Sequence, residues 1–418
     1  MAATDPPNTS SPEMHSTLGR GLRVALQATD FRRLWLATVT SQLGMGMQQV
    51  LLGWLVLAMT GSDSMVGIIF AVRSTPNLVV GLAVGALTDR LDRRHLMRLA
   101  GCSMTLITLA VAGLLLANRL QVWQLLVYAG LLGTLQALEM TARQVYVYDT
   151  LGASGAAQGI ALISMAQRLG STGGALLAGA VLQWWGAGAA FLVMSVSYGA
   201  GLGGLYALRQ AGAAAPLRRE PLAQNMRAYI RALRTNQAMR SLMISTAIAE
   251  VLGFSHQVLL PILAKEVLQV GAAGLGVLTA FRFLGGALGV ALLTALQTIR
   301  RQGWLLLMAL VLFGSSEVVL GYVAHFWLAI VCVTFINVMA AITDVLHQTL
   351  LQFSVSNEQR GRAMGAWVVG VGTAPLGHLE IGYVAGLASA QLALAVNGLA
   401  LTILAVGLAV CLPRLRRL

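Results

Sequence analysis

From Leu34 to Leu412 the chain alternates long apolar runs with short polar breaks. A helix rises 1.5 Å per residue, so about 20 apolar residues cross a bilayer core. Twelve runs reach that length: 34–59, 65–87, 97–117, 122–142, 157–180, 187–209, 241–263, 273–296, 303–323, 326–349, 361–387 and 391–412. The pattern predicts an all-α membrane protein with twelve transmembrane helices. The breaks are short except at 210–240, which is rich in Ala, Pro and Arg. There, Pro221 to Arg240 sets Met226, Tyr229, Ile230 and Leu233 at helical spacing, with Arg227, Arg231 and Arg234 between them. That is the signature of a helix lying on a membrane surface. The chain is thus expected to divide into a polar tail (1–30), six spans (31–209), a linker (210–240), six further spans (241–412) and a basic tail (413–418).

Composition agrees. Only 10% of residues are charged and 57% are hydrophobic, against about 25% charged in a soluble domain. Mean hydropathy is +0.75. So little charge cannot cover a water-facing surface. The net charge of +13 would suit nucleic acid if it formed a face, but it sits in loops between spans. With twelve spans, all but Arg119, Lys265 and three arginines inside spans fall on one set of alternate loops and on the two tails. Basic loops stay on the cytoplasmic side, so both termini are expected inside. The tail Met1 to Arg20 has no signal-peptide core, and the first span is expected to insert the chain. Cys102, Cys332 and Cys411 all lie in apolar runs, with neither metal-ligand nor disulfide spacing.

The two sets of six spans look related. Span 2 reads GIIFAVRSTPN and span 8 reads GVLTAFRFLGG, matching Gly67 with Gly276 and Arg73 with Arg282. Spans 5 and 11 match Gly174 with Gly377 and Gly179 with Gly382. Two six-helix repeats about an axis normal to the membrane are a transporter plan, with its site near the midplane. No HExxH, GxSxG or phosphate loop marks an enzyme. A non-transporting sensor or scaffold stays open.

Charged residues inside spans cost about 2.5 kcal/mol or more in lipid, so they line cavities or pair. The acids are Glu139, Glu250, Glu317, Asp344 and Glu380, and the bases are Arg73, Arg168 and Arg282. Carboxyl groups in that setting are candidate proton carriers. Glu139 and Asp344 stand at nearly corresponding places in the repeats. Glu139 is four residues before Arg143, in reach of a pair on one helix face. Arg282 has Glu250 on the neighbouring span as a candidate partner. Arg168 has none in sequence and is a candidate for an anionic or catecholate-like ligand. His378 is a candidate pH-responsive group.

After span 2 the chain reads Gly85-Ala-Leu-Thr-Asp89-Arg90-Leu-Asp92-Arg93-Arg94. This resembles the loop signature of the major facilitator superfamily, with Asp92 where Gly is usual. That departure, Thr141-Ala-Arg143-Gln144, and Gln359-Arg360-Gly361-Arg362-Ala-Met-Gly365 are similar to the branch of the enterobactin exporters and macrolide efflux proteins. The resemblance covers nearly the whole chain. Exporters with a Gly-Pro motif in span 5 kink there, but this chain has Gly170-Ser171-Thr172-Gly173-Gly174 and no proline.

The resemblance implies alternating access, driven by a proton gradient with no cofactor. Substrate would be a small amphipathic molecule such as a siderophore, a macrolide or another drug, and the setting a bacterial cytoplasmic membrane. Import or facilitated diffusion stays open, as does oligomeric state. Asp89, with Arg90, Arg93 and Arg94 of its loop and Arg362 at the start of span 11, is expected to form an inner latch. Spans 2, 5, 8 and 11 would form the interface between halves. Arg73 and Glu380 lie about eight and seven residues from the outer ends of spans 2 and 11, which suggests a bridge closing the outer side. Glu317 falls on span 9, often peripheral in this superfamily, and is expected in packing next to lipid.

Overall fold

The computed structural model describes residues 28–88, 92–209, 236–295, 301–354, 367–411 and Arg416, with backbone alone for 77–88, 153, 154 and 157. Asp89, Arg90, Arg362 and the expected surface helix over Pro221 to Thr235 lie outside the described residues.

Among the described residues, twelve longer helices follow in order. The first three are α1 (Thr29–Thr60), α2 (Asp63–Thr88) and α3 (Arg93–Leu116). The run Val122–Tyr206 is helical except at Gly152 (φ 67°, ψ 178°) and Gly186 (φ 80°, ψ 178°). That backbone region is essentially reserved for glycine. Each glycine turns the chain, giving α4 (122–151), α5 (153–185) and α6 (187–206). Then come α7 (Gln237–Val267), α8 (Gly271–Ala295), α9 (Gln302–Gly321), α10 (Phe326–Phe353), α11 (Ala374–Leu387) and α12 (Ala390–Cys411). Among the described residues, nine helical stretches are long and apolar enough to cross a membrane, one of them α5 and α6 together. The face where α1 begins is called proximal below, and the face where it ends at Gly61 is called distal.

α4 and α10 run past their expected ends at 142 and 349. In α4 the extension is held by packing, because Tyr146 and Val147 are fully buried against Phe31 and Leu34 of α1. Arg143 and Asp149 therefore do not stop the helix. Asp149 pairs instead with Arg93 at the start of α3.

The unusual Asp92 caps α3. Its carboxylate accepts from Arg94 N at 2.9 Å and also meets the Arg94 guanidinium at 3.3 Å and His95 at 3.2 Å. A side-chain oxygen at this position satisfies an amide that the helix leaves free. Asp92→Ala is expected to cost about 1 kcal/mol of stability, read as a lower Tm. Asp92→Asn should recover most of it by keeping an acceptor.

Helix α7 is irregular by design of its sequence. A π turn at Ala249–Gly253 is followed by a 3₁₀ segment at Phe254–Leu259, a short α turn and a second π turn at Leu263–Val267. Gly253 and Pro261 flank the 3₁₀ segment. Pro261 has no N–H to donate to the carbonyl four residues back, that of Gln257, and its ring crowds that carbonyl.

The first six helices and the last six meet through α2 against α11 and α5 against α8. Side chains such as Leu99, Leu106, Leu288, Val331 and Ile403 are exposed around the outside, as a lipid-facing surface requires. Trp123, Trp184, Trp185, Tyr322 and Trp327 are exposed near the distal ends, and Tyr206 and Trp304 near the proximal ends. Two such aromatic belts mark the two membrane–water boundaries.

Candidate functional site

The two halves touch most closely near the distal face. A Cβ placed on Gly67 of α2 would lie 2.9 Å from the Cα of Gly382 on α11, and one on Gly179 of α5 would lie 2.8 Å from the Cα of Gly276 on α8. Backbone meets backbone at both places, which only glycine permits. The repeats match Gly67 with Gly276 and Gly179 with Gly382, so the two contacts are symmetry mates. Beside them, Gln183 Oε1 of α5 accepts from Ala272 N of α8 at 3.2 Å.

Just below this seal a chain of hydrogen bonds joins four helices. Arg282 Nη2 on α8 donates to Gln257 Oε1 on α7 at 2.6 Å. Gln257 Nε2 then donates to His378 Nε2 on α11 at 3.1 Å, and His378 Nδ1 lies 3.1 Å from Ser74 Oγ on α2. Ser74 gives its own hydrogen to Phe70 O at 2.8 Å. Its oxygen can then only accept from His378, which fixes a neutral imidazole with hydrogen on Nδ1. Every donor and acceptor along the chain has one consistent role.

A cavity of about 360 Å³ lies on the proximal side of the seal. Helices α1 to α6 contribute most of the wall, and Phe283 of α8 closes one side. Arg73, Arg143 and Arg168 line it against a single acid, Glu139. Polar neutral groups fill in between: Gln42, Gln136, Gln167 and Ser171. Glu139 and Arg143 form the expected i, i+4 ion pair, and both are buried. Arg73 lies 3.5 Å from Gln136 Oε1, and Gln49 Oε1 accepts from both of its Nη atoms at 2.9 and 3.0 Å once the Gln49 amide is turned to satisfy both its ends. Gln136 in turn donates to Gln48 Oε1 at 2.6 Å. Arg168 reaches toward Gly286 of α8. The cavity therefore offers cationic and hydrogen-bonding groups inside an otherwise apolar wall.

Two expected pairings are replaced. Arg73 and Glu380 do not meet in this structure, because Glu380 accepts from Asn397 on α12 at 2.9 Å while Arg73 stays with glutamines of its own half. The reason is azimuth. Glu380 follows His378 by two residues, about 200° around a helix, and His378 is the residue that faces α2. Arg282 binds Gln257 rather than Glu250, which is buried in the π turn that precedes Gln257 in α7. Arg93 and Arg94 are held within the first half, by Asp149 and by Asp92 with Arg209 O. Glu317 is corrected most sharply: it is fully buried inside the second half rather than next to lipid.

This chain matches the family described as transmembrane secretion effector over residues 23–418. The chain belongs to that family of the major facilitator superfamily. It is a multi-pass membrane transporter and not an enzyme. It is 24% identical over 341 residues to the staphyloferrin A transporter of Staphylococcus aureus, covering 81% of this chain and 85% of that one. It is 28% identical over 407 residues to the enterobactin exporter EntS of Salmonella typhi, covering 93% of each. Its fold is that of the nucleoside transporter NupG, with a TM-score of 0.75 at 11% identity over 91% of this chain and 98% of that one. A bacterial homolog of the human lysosomal transporter Spinster, in an inward-facing and unoccupied conformation, gives 0.70 at 14% identity, covering 97% and 98%.

Within this facilitator fold, the sequence reading passed over Gln257, His256, Gln136 and Asn397. Glutamine and asparagine inside a span carry no charge signal, yet here they hold the charged groups in place. Three consecutive polar residues in an apolar run, Ser255-His256-Gln257, were the available signal.

Proposed function

We propose that this facilitator exports an anionic, siderophore-like small molecule in exchange for protons across a bacterial cytoplasmic membrane, with both termini inside. The observation that carries this is the cavity wall, where three arginines face one glutamate. The Glu139–Arg143 pair is neutral as a unit, so Arg73 and Arg168 remain to meet carboxylate, catecholate or hydroxamate oxygens. A guanidinium suits such oxygens because it offers parallel N–H donors. Basic loops on the proximal side set the direction of the cavity toward the cytoplasm. A shut distal seal then makes this the conformation that loads from inside. Relatives named as transporters of staphyloferrin A and exporters of enterobactin agree with an acidic, oxygen-rich cargo.

The test uses inside-out vesicles that contain the protein and hold an acidic interior. Enterobactin, staphyloferrin A, a macrolide and a cationic dye are added singly while the pH gradient is recorded. Dissipation by a siderophore but not by the cationic dye is the expected result. Dissipation by the dye alone would reverse the charge assignment. Equilibration of labelled siderophore with no proton movement would make the protein a facilitator.

A further inference from the structure

Helix α7 carries Ser255, His256 and Gln257 in its 3₁₀ segment. A 3₁₀ helix has three residues per turn, so these side chains project about 120° apart and reach different neighbours. Gln257 faces Arg282 and His378, the chain of hydrogen bonds below the seal. Ser255 lies 3.4 Å from Asn397 Nδ2, which also donates to Glu380 at 2.9 Å. His256 points the third way, into the middle of the second half, where Glu317 of α9 lies.

Both residues are enclosed. His256 is 1% exposed and Glu317 is 0% exposed. His256 Nδ1 is 2.8 Å from Gly253 O and 3.3 Å from Glu317 Oε1. A carbonyl only accepts, so Nδ1 carries a hydrogen and gives it to Gly253. Nε2 is then the acceptor for Asn337 Nδ2 of α10, at 3.3 Å. The ring is neutral with every position assigned. Neither oxygen of Glu317 receives a hydrogen bond from any described residue. Around it are the ring of Phe313, edge-on to His256 at 6.0 Å, and the close backbone contact of Gly314 with Gly398.

A bare carboxylate in such a place, with no donor to either oxygen, costs several kcal/mol. The titratable groups on the elements packed around the pair include Glu250 in the same helix, Arg282 on α8, Asp344 and His347 on α10, and His378 and Glu380 on α11, with Arg240, Lys265 and Glu266 toward the ends of α7. Of these, Arg282 is held by Gln257, and His378 is neutral through its bonds to Ser74 and Gln257. His347 is engaged with Ser245 at 2.8 Å. None of these groups compensates Glu317. A carboxylic acid fits the site, and a carboxylate would need the one hydrogen within reach, that on His256 Nδ1.

We propose that Glu317 and His256 form the proton-binding site of the second half, and that the 3₁₀ segment transmits its state to the seal between halves. In this structure, with the distal side shut, Glu317 carries the proton and His256 is bonded to Gly253. When the acid loses that proton to solvent, the imidazole N–H turns from Gly253 O to the carboxylate. That rotation displaces the next residue, Gln257, and so loosens the bonds to His378 and Arg282. A π turn beside a 3₁₀ segment is a natural place for such a shift, since both already depart from the regular ladder. The inference rests on the proton-driven reading above and adds the site and its route.

Two measurements test it separately from that reading. The first needs no substrate: infrared difference spectra of the purified protein in lipid nanodiscs, stepped between acidic and alkaline buffer. Wild-type protein should show a protonated-carboxyl carbonyl band that vanishes in Glu317→Gln and moves in His256→Gln. An unchanged band in Glu317→Gln would overturn the assignment. The second uses enterobactin in the vesicles described above. Glu317→Gln should lose proton movement by at least about tenfold, while exchange of labelled for unlabelled enterobactin, which needs no net proton, continues. Persistence of that exchange also shows that the variant is folded. Undiminished proton movement in Glu317→Gln would overturn the proposal. If wild-type protein moves labelled enterobactin without protons, the coupling itself fails, and the infrared result then stands on its own for or against the site.

Discussion

Gly67→Leu should lower transport by roughly tenfold or more and open the distal side. The Gly67 and Gly382 backbones are in contact, with a Cβ at position 67 lying 2.9 Å from the opposing Cα. A leucine cannot be absorbed by side-chain movement because the obstacle is main chain. Overpacking of this kind costs about 1–3 kcal/mol. Placed on one conformer alone, that shifts a two-state equilibrium by roughly 5- to 150-fold. The measurement is labelling of a cysteine at Ala137, which lines the cavity, in protein with Cys102, Cys332 and Cys411 replaced by serine. An impermeant maleimide on the distal side should label Ala137→Cys at least about fivefold faster when Gly67→Leu is also present. Gly276→Leu should behave alike, being the symmetry-related position. Wild-type transport with Ala137→Cys still shielded would place the seal elsewhere.

Arg143→Ala should be the most destabilising single change in the cavity. Glu139 and Arg143 are 5% and 2% exposed and paired on one face of α4. Removing the arginine leaves a carboxylate among apolar and amide groups, at about 3 kcal/mol. Replacing both partners, as Glu139→Gln with Arg143→Gln, removes both charges and leaves neutral groups able to bond to each other. The double variant should recover more than half of the loss in Tm. Equal Tm values for single and double variants would show that cavity water, rather than the pairing, carries these charges.

Much of the fold was legible because a bilayer imposes its thickness on the sequence. A run of twenty apolar residues admits few other readings, and the helix ends fall within a few residues of the expected ones wherever the chain turns abruptly. The exceptions have local causes. α4 continued to 151 because Tyr146 and Val147 found a buried face on α1, which no hydropathy count records. The glycine matches between repeats proved informative beyond their purpose, since Gly67 with Gly382 and Gly276 with Gly179 turned out to be the two contacts of the seal. The Glu139–Arg143 pair was legible because it depends only on spacing along one helix.

Pairing between helices was not legible. Equal depth brought Arg73 and Glu380 together on paper, but depth is one coordinate of three. His378 took the side of α11 that faces α2, and Glu380 was carried to the far side. In α7 the azimuths are shifted further, because its π and 3₁₀ turns assign less and more than the 100° per residue of an α-helix. Gln257 thus took the place expected of Glu250 beside Arg282. Glu317 was misplaced by analogy with peripheral ninth spans, and its burial follows from the close approach of Gly314 and Gly398, visible only once α9 and α12 are side by side.

The seal has one property that follows from its being made of bare backbone. Joining two surfaces usually freezes side chains, at up to about 2 kcal/mol for each long one. Glycine has no rotamers to lose, so bringing Gly67 onto Gly382 and Gly179 onto Gly276 orders nothing that was free before. The shut and open forms can then lie close in free energy without large opposing terms held in balance. A difference of one or two hydrogen bonds, each worth about 1 kcal/mol, is enough to decide between them. In the chain from Arg282 to Ser74 the bond that crosses between the halves, His378 to Ser74, is of that size, so the faint energetic signature of the glycines lets so slender a link govern which side of the membrane is open.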